Sequence, residues 1–92
     1  MRFLCDTMCG RLARYLRMCG YDTAYALDRG VKADDSVADL ARAEERTVIT
    51  RDADLAERVD DVIFLTEREI RDQLRALQAR GIELSLATEP VY

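Results

Sequence analysis

The chain has 92 residues, of which 49% are hydrophobic and 35% are charged, and its formal net charge at pH 7 is −4. A chain of this length forms one small domain, and hydrophobic residues spread along all of it exclude a disordered protein. The absence of histidine excludes catalysis by a histidine base, and the negative charge argues against bulk attraction to nucleic acid without excluding a local basic patch.

The hydrophobic runs are only a few residues long, so the sequence predicts no transmembrane helix and no membrane partner. Arg2 and Asp6 bracket the only early hydrophobic run, which leaves no signal-peptide core. We therefore expect a soluble, cytoplasmic protein.

Three cysteines are present, Cys5, Cys9 and Cys19, and none of their spacings is that of a zinc knuckle. No histidine is available to complete a mixed zinc site. We expect reduced, partly buried thiols rather than a metal or redox site, and no zinc in this chain.

The first third of the chain predicts strand, helix and strand. Residues 3–5 form a short apolar run. Apolar residues then follow the i, i+3, i+4, i+7 spacing of one buried helix face, ended by Gly20; they are Leu12, Tyr15, Leu16 and Cys19. Residues 22–27 predict the second strand.

The middle of the chain predicts two further strands. Val37, Leu40 and Ala41 mark a helix that Asp34 or Asp35 can cap. Residues 47–50 predict the third strand, 52–58 a short helix and 62–65 the fourth strand.

The C-terminal part predicts one more helix. Thr66 and Glu69 have the spacing of a capping box before Ile70, Leu74 and Leu77, and Arg80 with Gly81 ends this helix. Residues 82–87 alternate with period two, which predicts an added edge strand before Pro90.

Strands that alternate with helices predict an α/β domain: a mostly parallel sheet of four to five strands between two layers of helices. We expect one domain over residues 1–92, with a core at about 2–80 and a tail or edge strand at 81–92.

Aspartates end two of the predicted strands, Asp6 after the first and Asp52 after the third. Ligands of parallel sheets bind outside the carboxyl ends of the strands, so both carboxylates are expected at one edge. Asp54 opens the next helix, and Asp34 and Asp35 open the helix before the third strand. Four or so carboxylates can converge there.

Carboxylates that converge repel one another by about 3 kcal/mol per pair, at about 5 Å and an effective dielectric of about 20. Oxygen ligands without histidine suit Mg²⁺ or Mn²⁺, which support phosphodiester hydrolysis without a protein base. Alternatively, these acids are helix caps and first-turn residues that the helix dipole stabilises. Asp6 fits that alternative least, because it ends a strand.

Two segments, "FLCDTMCGRLARYLRMCGYDTAYA" and "DDSVADLARAEERTVITRDADLAER", carry a family resemblance. Over roughly residues 2–80 the chain resembles the PIN-like RNase family named after the C-terminal domain of the Mut-seven exonuclease, and more loosely the PIN-like toxin nucleases. The resemblance implies a PIN-like α/β/α sandwich and a metal-dependent nuclease acting on RNA.

The resemblance also implies a set of site residues. Asp6, Asp35, Asp52 and Asp54 would be the catalytic metal ligands, with Asp34 as the alternative to Asp35, and the Thr50 hydroxyl would orient a carboxylate or water. Two features depart from the family pattern. No C-terminal zinc ribbon is present in this chain, and "AEERT" stands where relatives commonly have a glycine before the third strand.

Arginines near the predicted site are candidates for contacts with substrate phosphates. Arg11, Arg14 and Arg17 lie on the helix face opposite the apolar one, where a solvated polar face is the alternative. Arg11 is the first choice because it follows Asp6 closely, and Arg14 and Arg51 come next. The expected partner is RNA, taken as single-stranded; the sequence leaves open a homodimer or a protein partner.

Two other functions remain compatible with the residues. One is a non-catalytic PIN-like module that binds RNA or protein. The other is a phospho-acceptor signalling domain, which also places acids at the ends of parallel strands but needs a lysine beside them. Lys32, the sole lysine, precedes a helix and fits that role poorly.

Overall fold

The computed structural model describes residues 1–84, in which four strands alternate with four helices. In chain order they are β1 (Arg2–Cys5), α1 (Gly10–Met18), β2 (Asp22–Tyr25), α2 (Asp34–Glu44), β3 (Thr47–Thr50), α3 (Ala53–Arg58), β4 (Val62–Phe64) and α4 (Ile70–Ala79). The predicted alternation of elements is confirmed. Residues 82–84 lie in no strand, and the rest of the predicted edge strand falls outside the described residues.

Within residues 1–84 the strands form one parallel sheet in the order β2-β1-β3-β4. Its central strands β1 and β3 pair directly, with Leu4 opposite Val48 and Cys5 opposite Ile49. All four residues of β3 are buried, as expected for a central strand covered on both faces. This pairing places the residues that follow β1 and β3 side by side.

Two hydrophobic clusters lie on the two faces of the sheet. Phe3 and Cys5 pack with α1 and α4 on one face, and Leu4 packs with α2 and α3 on the other. Successive residues of β1 therefore contact opposite helix layers, as the strand period of two requires. The predicted α/β class and the three-layer α/β/α sandwich are confirmed.

The packing of α1 differs from its predicted face. Leu12, Ala13 and Leu16 are buried, whereas Tyr15 keeps 38% of its surface exposed, so the prediction of Tyr15 as a core residue is wrong. The stripe that contacts the sheet is centred on Leu12 and Leu16. Tyr15 lies at its flank, where it borders a groove between α1 and α4.

Two predicted helix starts are also wrong. The N-cap of α2 is Ala33, and Asp34 and Asp35 both lie in the first helical turn, where the helix dipole favours acids. The N-cap of α4 is Glu69 and has no side-chain cap. The expected capping box at Thr66 does not form, because α4 begins only at Ile70; the Gln73 side chain donates to the Glu67 carbonyl at 2.9 Å in the segment before it.

An arginine holds together the amino edge of the sheet. The Arg46 side chain is only 5% exposed; its Nη1 donates to the Phe3 carbonyl and to Asp22, and its Nε donates to Glu44 at 2.7 Å. Arg29 binds the same Glu44 carboxylate. The two arginines lower the pKa of Glu44 to about 2.

Acidification should therefore weaken the fold through Glu44. Because its folded pKa lies below the ordinary 4.5, Glu44 contributes stability above pH 4.5 that is lost as the pH falls toward about 2. Chemical denaturation of the wild type and of Glu44→Gln should show a difference in unfolding free energy near neutral pH that shrinks across this window. A difference that is constant with pH would contradict the assignment.

The turn between α2 and β3 contains backbone strain. Glu45 ends α2 in the left-handed region with φ of 53°, which costs a residue with a Cβ about 1 kcal/mol. Glu45→Gly is therefore expected to stabilise the domain by up to about 1 kcal/mol in chemical denaturation. As a matched control, Ala43→Gly within the same helix should destabilise it by about 0.5–1 kcal/mol. Equal effects of the two substitutions would exclude strain at Glu45.

Candidate active site

Asp6 follows β1 at the carboxyl edge of the sheet and is 6% exposed. Its Oδ2 accepts a hydrogen bond from Thr50 Oγ1 at 2.8 Å, and its Oδ1 accepts one from the backbone N–H of Thr7 at 2.7 Å. The Asp6 N–H donates to the Ile49 carbonyl, which continues the ladder between the two central strands. Main chain and side chain are both fixed, so the carboxylate has one defined orientation.

The Thr50 hydroxyl joins the two predicted strand-end acids. Thr50 is fully buried at the end of β3, donates to Asp6, and accepts a hydrogen bond from the Asp52 N–H at 2.9 Å. Asp52 is the N-cap of α3, and its Oδ1 accepts from the Asp54 N–H at 2.9 Å. The structure thus brings Asp6 and Asp52 together through one hydroxyl. Asp52 is also a helix cap, as the alternative interpretation of these acids expected.

Asp34, in the first turn of α2, lies within electrostatic range of the same carboxylates. Burial raises its pKa above the ordinary 3.8, and the charge of Asp52 raises it further, as do those of Asp6 and Asp54. Arg58 partly opposes the shift, with its Nε 4.0 Å from Asp34 Oδ2. Three of the predicted site acids therefore act electrostatically on Asp34.

Asp35 points elsewhere. Its side chain is 81% exposed, and Arg58 Nη1 donates to its Oδ1 at 2.7 Å. Consecutive helical residues differ by about 100° in direction, so only one of the two acids can face the sheet edge. Asp34 therefore lies within electrostatic range of Asp6 and Asp52, whereas Asp35 lies on the surface in an ion pair with Arg58.

The carboxylate oxygens at this edge suit a hard cation only if water molecules complete its coordination. Among residues 1–84, no three Asp, Glu, Cys or His side chains are placed to form a ready metal cage. Mg²⁺ commonly takes only one or two protein carboxylates and keeps several waters, so a complete cage is not required. Asp6, Asp34 and Asp52 offer oxygen ligands alone, the ligand type that suits Mg²⁺ or Mn²⁺.

The thiols beside the site are neutral. Cys5, Cys9 and Cys19 are all free, which confirms the expectation of unpaired thiols, and Cys5 and Cys9 are buried. Burial, and then the charge of Asp6, raise the pKa of Cys9 to about 11, although Arg51 partly lowers it. Burial also raises the pKa of Cys5 and Cys19. No thiolate therefore competes with the carboxylates near neutral pH.

The predicted phosphate-binding arginines lie on both sides of the start of α1. Arg11 and Arg14 border a cavity of about 380 Å³ beside Tyr25, together with Arg17. Arg17 is also used structurally, because its Nε donates to the Thr23 carbonyl at 2.9 Å and it pairs with Asp28. Arg11 also borders a second cavity of about 200 Å³, with Arg51.

Arg68 lines this second cavity as well, and sequence reasoning missed it. It lies between β4 and α4, in a segment without periodic pattern, so no local signal points to it. Only the path of the chain across the sheet edge brings Arg68 near α1.

Tyr25 shapes the loop that follows Asp6. Its hydroxyl donates to the Thr7 carbonyl at 2.8 Å. A Cβ at Gly10 would lie 3.0 Å from the Tyr25 ring, so glycine at this position lets the ring close against the start of α1. The loop is therefore held from both ends, by Tyr25 and by the Asp6 carboxylate.

Family comparison decides the class of the domain. Residues 1–91 match the family model described as the Mut7-C RNAse domain. The chain belongs to this family. The resemblance drawn from the two sequence segments is thereby confirmed, and membership of the Mut7-C family indicates a ribonuclease-type function.

No match was found among curated proteins or among solved structures. No helix within residues 1–84 of this Mut7-C domain combines the length and apolar character needed to cross a bilayer.

The burial of Asp34 and its repulsion by neighbouring carboxylates should affect the Tm of the domain. Because the folded pKa of Asp34 lies above 3.8, its charged form is disfavoured at neutral pH, and this cost vanishes below pH 3.8. Asp34→Asn is therefore expected to raise Tm in metal-free buffer near pH 7 and to leave it unchanged near about pH 3. Asp35→Asn, which removes an equal charge, should give no such gain; a larger gain there would contradict the placement of Asp34.

Proposed function

We propose that this domain hydrolyses RNA phosphodiester bonds with Mg²⁺ or Mn²⁺ held by Asp6, Asp34 and Asp52, with Asp54 beside them. Family membership supports the ribonuclease class. The observation that carries the metal-dependent part is the Thr50 hydroxyl, which is bonded to both the Asp6 carboxylate and the Asp52 backbone. That contact collects acids at the edge where parallel sheets bind ligands.

Each residue has a distinct part in this proposal. Thr50 and the Thr7 N–H each donate to one oxygen of Asp6 and so orient it, and each oxygen keeps a further lone pair for a ligand. Asp52 keeps one oxygen on the α3 N-terminus and has the other for a ligand. Asp34 approaches from α2 and completes the negative surface. The ion, when bound, would supply activation of water and stabilisation of charge developing on the phosphate.

Asp34 replaces Asp35 in the proposed ligand set, because Arg58 occupies Asp35. Arg11, Arg14 and Arg51 are proposed to bind substrate phosphates on either side of Asp6. The three free thiols fit a reducing compartment, which supports a cytoplasmic enzyme.

Cleavage of single-stranded RNA with Mn²⁺ tests the proposal. Asp6→Asn and Asp34→Asn are expected to lower kcat by about 100-fold or more, since each removes a charge that the reaction needs. The decrease in kcat should be far smaller for Asp35→Asn than for Asp34→Asn. Asp39→Asn provides the matched control, because Asp39 is exposed on α2 and pairs only with Arg42 in the described structure.

Equal rates for the wild type and Asp6→Asn would refute the catalytic assignment. So would a wild type that cleaves no RNA with either ion. A loss at Asp35→Asn equal to that at Asp34→Asn would refute the choice between the two acids.

A non-catalytic binding module is the second candidate, favoured by the lack of a ready metal cage among residues 1–84. It predicts RNA binding without cleavage and no rise in Tm with divalent ions, whereas an occupied site gains stability by mass action. The phospho-acceptor hypothesis has less support, because Lys32 is exposed and forms no ion pair within the described residues.

A further inference from the structure

The smaller cavity beside α1 has an unusual lining. This arginine cavity, of about 200 Å³, is bordered by Met8, Cys9, Arg11, Arg51, Arg68 and Gln73, among others. No acidic residue of the described chain lines it, and none forms a salt bridge with any of its three arginines. Three positive charges therefore surround a small space in a protein of net charge −4.

Arg51 has an unused donor at this place. Its Nε is buried and has no hydrogen-bond partner among residues 1–84. The comparison with Arg46 is direct, because the Nε of that buried arginine donates to Glu44 and its Nη1 binds main-chain and carboxylate oxygens. A buried donor without an acceptor is destabilising, and more so when it is charged. Arg51 thus has a donor that the described chain does not use, and its side chain is one of those that line the cavity.

The start of α1 adds to the positive potential. The helix begins at Gly10, its N-cap Cys9 provides no side-chain cap, and its first turn contains no acid. Free backbone N–H groups at a helix start attract anions, and phosphate groups in particular. The same cavity therefore meets three guanidinium groups and an uncapped helix N-terminus.

The number of positive groups indicates which phosphate fits. An internal phosphodiester has one negative charge, whereas a phosphomonoester has about −1.5 to −2 near neutral pH and three acceptor oxygens. Arginine forks bind such oxygens in pairs. A cavity with three arginines suits the more highly charged group, and its small volume suits a chain end better than a continuing strand.

We propose that the arginine cavity binds a terminal phosphomonoester of an RNA strand and thereby positions that end beside Asp6. The assignment of this phosphate to an RNA strand rests on the proposed function. The site itself rests on the unpartnered Arg51 Nε and the acid-free lining. Cleavage would then favour strands with a phosphorylated end and would occur at a fixed distance from it.

Binding without divalent ions tests this site independently of catalysis. Fluorescent oligoribonucleotides of one sequence are compared with a 5′-phosphate, a 3′-phosphate or hydroxyls at both ends, in EDTA. One phosphorylated form should bind about tenfold more tightly than the hydroxyl form, because a terminal phosphate accepts charge-assisted hydrogen bonds from the arginines that a hydroxyl cannot. The form that binds more tightly identifies the end that the cavity accepts.

Variants locate the effect. Arg51→Gln and Arg68→Gln are each expected to remove most of the preference for the phosphorylated end. Arg68 is exposed, so its variant keeps the test valid if Arg51→Gln proves unstable. Arg75→Gln is the matched control, with the same loss of charge on α4 beside a different, more apolar cavity, and it should retain the preference.

Three results would overturn the assignment. Equal affinity for all three oligoribonucleotides would exclude an end-phosphate site, and a preference that persists in both Arg51→Gln and Arg68→Gln would place it elsewhere. Competition by inorganic phosphate as strong as that by the phosphorylated strand would indicate a free-anion site. A wild type inactive with Mn²⁺ would refute the nuclease proposal but not this binding result, which needs no metal.

Discussion

The hydrogen bond from Thr50 to Asp6 connects the fold of this domain to its candidate site. It forms because β1 and β3 are adjacent central strands in register, so the residues that end them are neighbours. The same hydroxyl accepts from the Asp52 N–H, which starts the turn into α3. Had another strand separated β1 from β3, neither acid would reach the other. The order of the sheet therefore decides which carboxylates meet.

The two edges of the sheet treat charge in opposite ways. At the amino edge, Arg46 is surrounded by oxygen acceptors, and Glu44 shares two arginines, so every buried charge there is compensated. At the carboxyl edge, Asp34 meets other carboxylates and Arg51 keeps a buried donor without an acceptor in the described chain. Uncompensated charge of both signs is concentrated at the edge where parallel sheets bind ligands, and structural ion pairs stabilise the other edge.

The sequence predicted the parts of this arrangement that depend on periodicity. Alternating runs gave the order of strands and helices, and strand-end positions placed Asp6 and Asp52 at one edge. The sequence could not predict how each helix is rotated about its own axis, and this rotation decides which side chains face the sheet. Asp34 and Asp35 are adjacent aspartates in the first turn of α2, and only the orientation of this helix distinguishes their surroundings. The prediction for Tyr15 was wrong for the same reason, because a slight rotation of α1 moves this residue from the core to the flank.

Long-range contacts account for the remainder. Arg68 lies far along the chain from α1, and Arg46 lies far from Phe3 and Asp22, so no window of sequence contains either interaction. Their surroundings differ although the residue type is the same. Arg46 is enclosed by acceptors of its own chain, whereas the donors of Arg51 and Arg68 open into a cavity without acids in the described structure. The arginine cavity and the acids next to it thus place opposite charges side by side at one edge of the sheet, and the proposed phosphate end and divalent cation would each complement one of them.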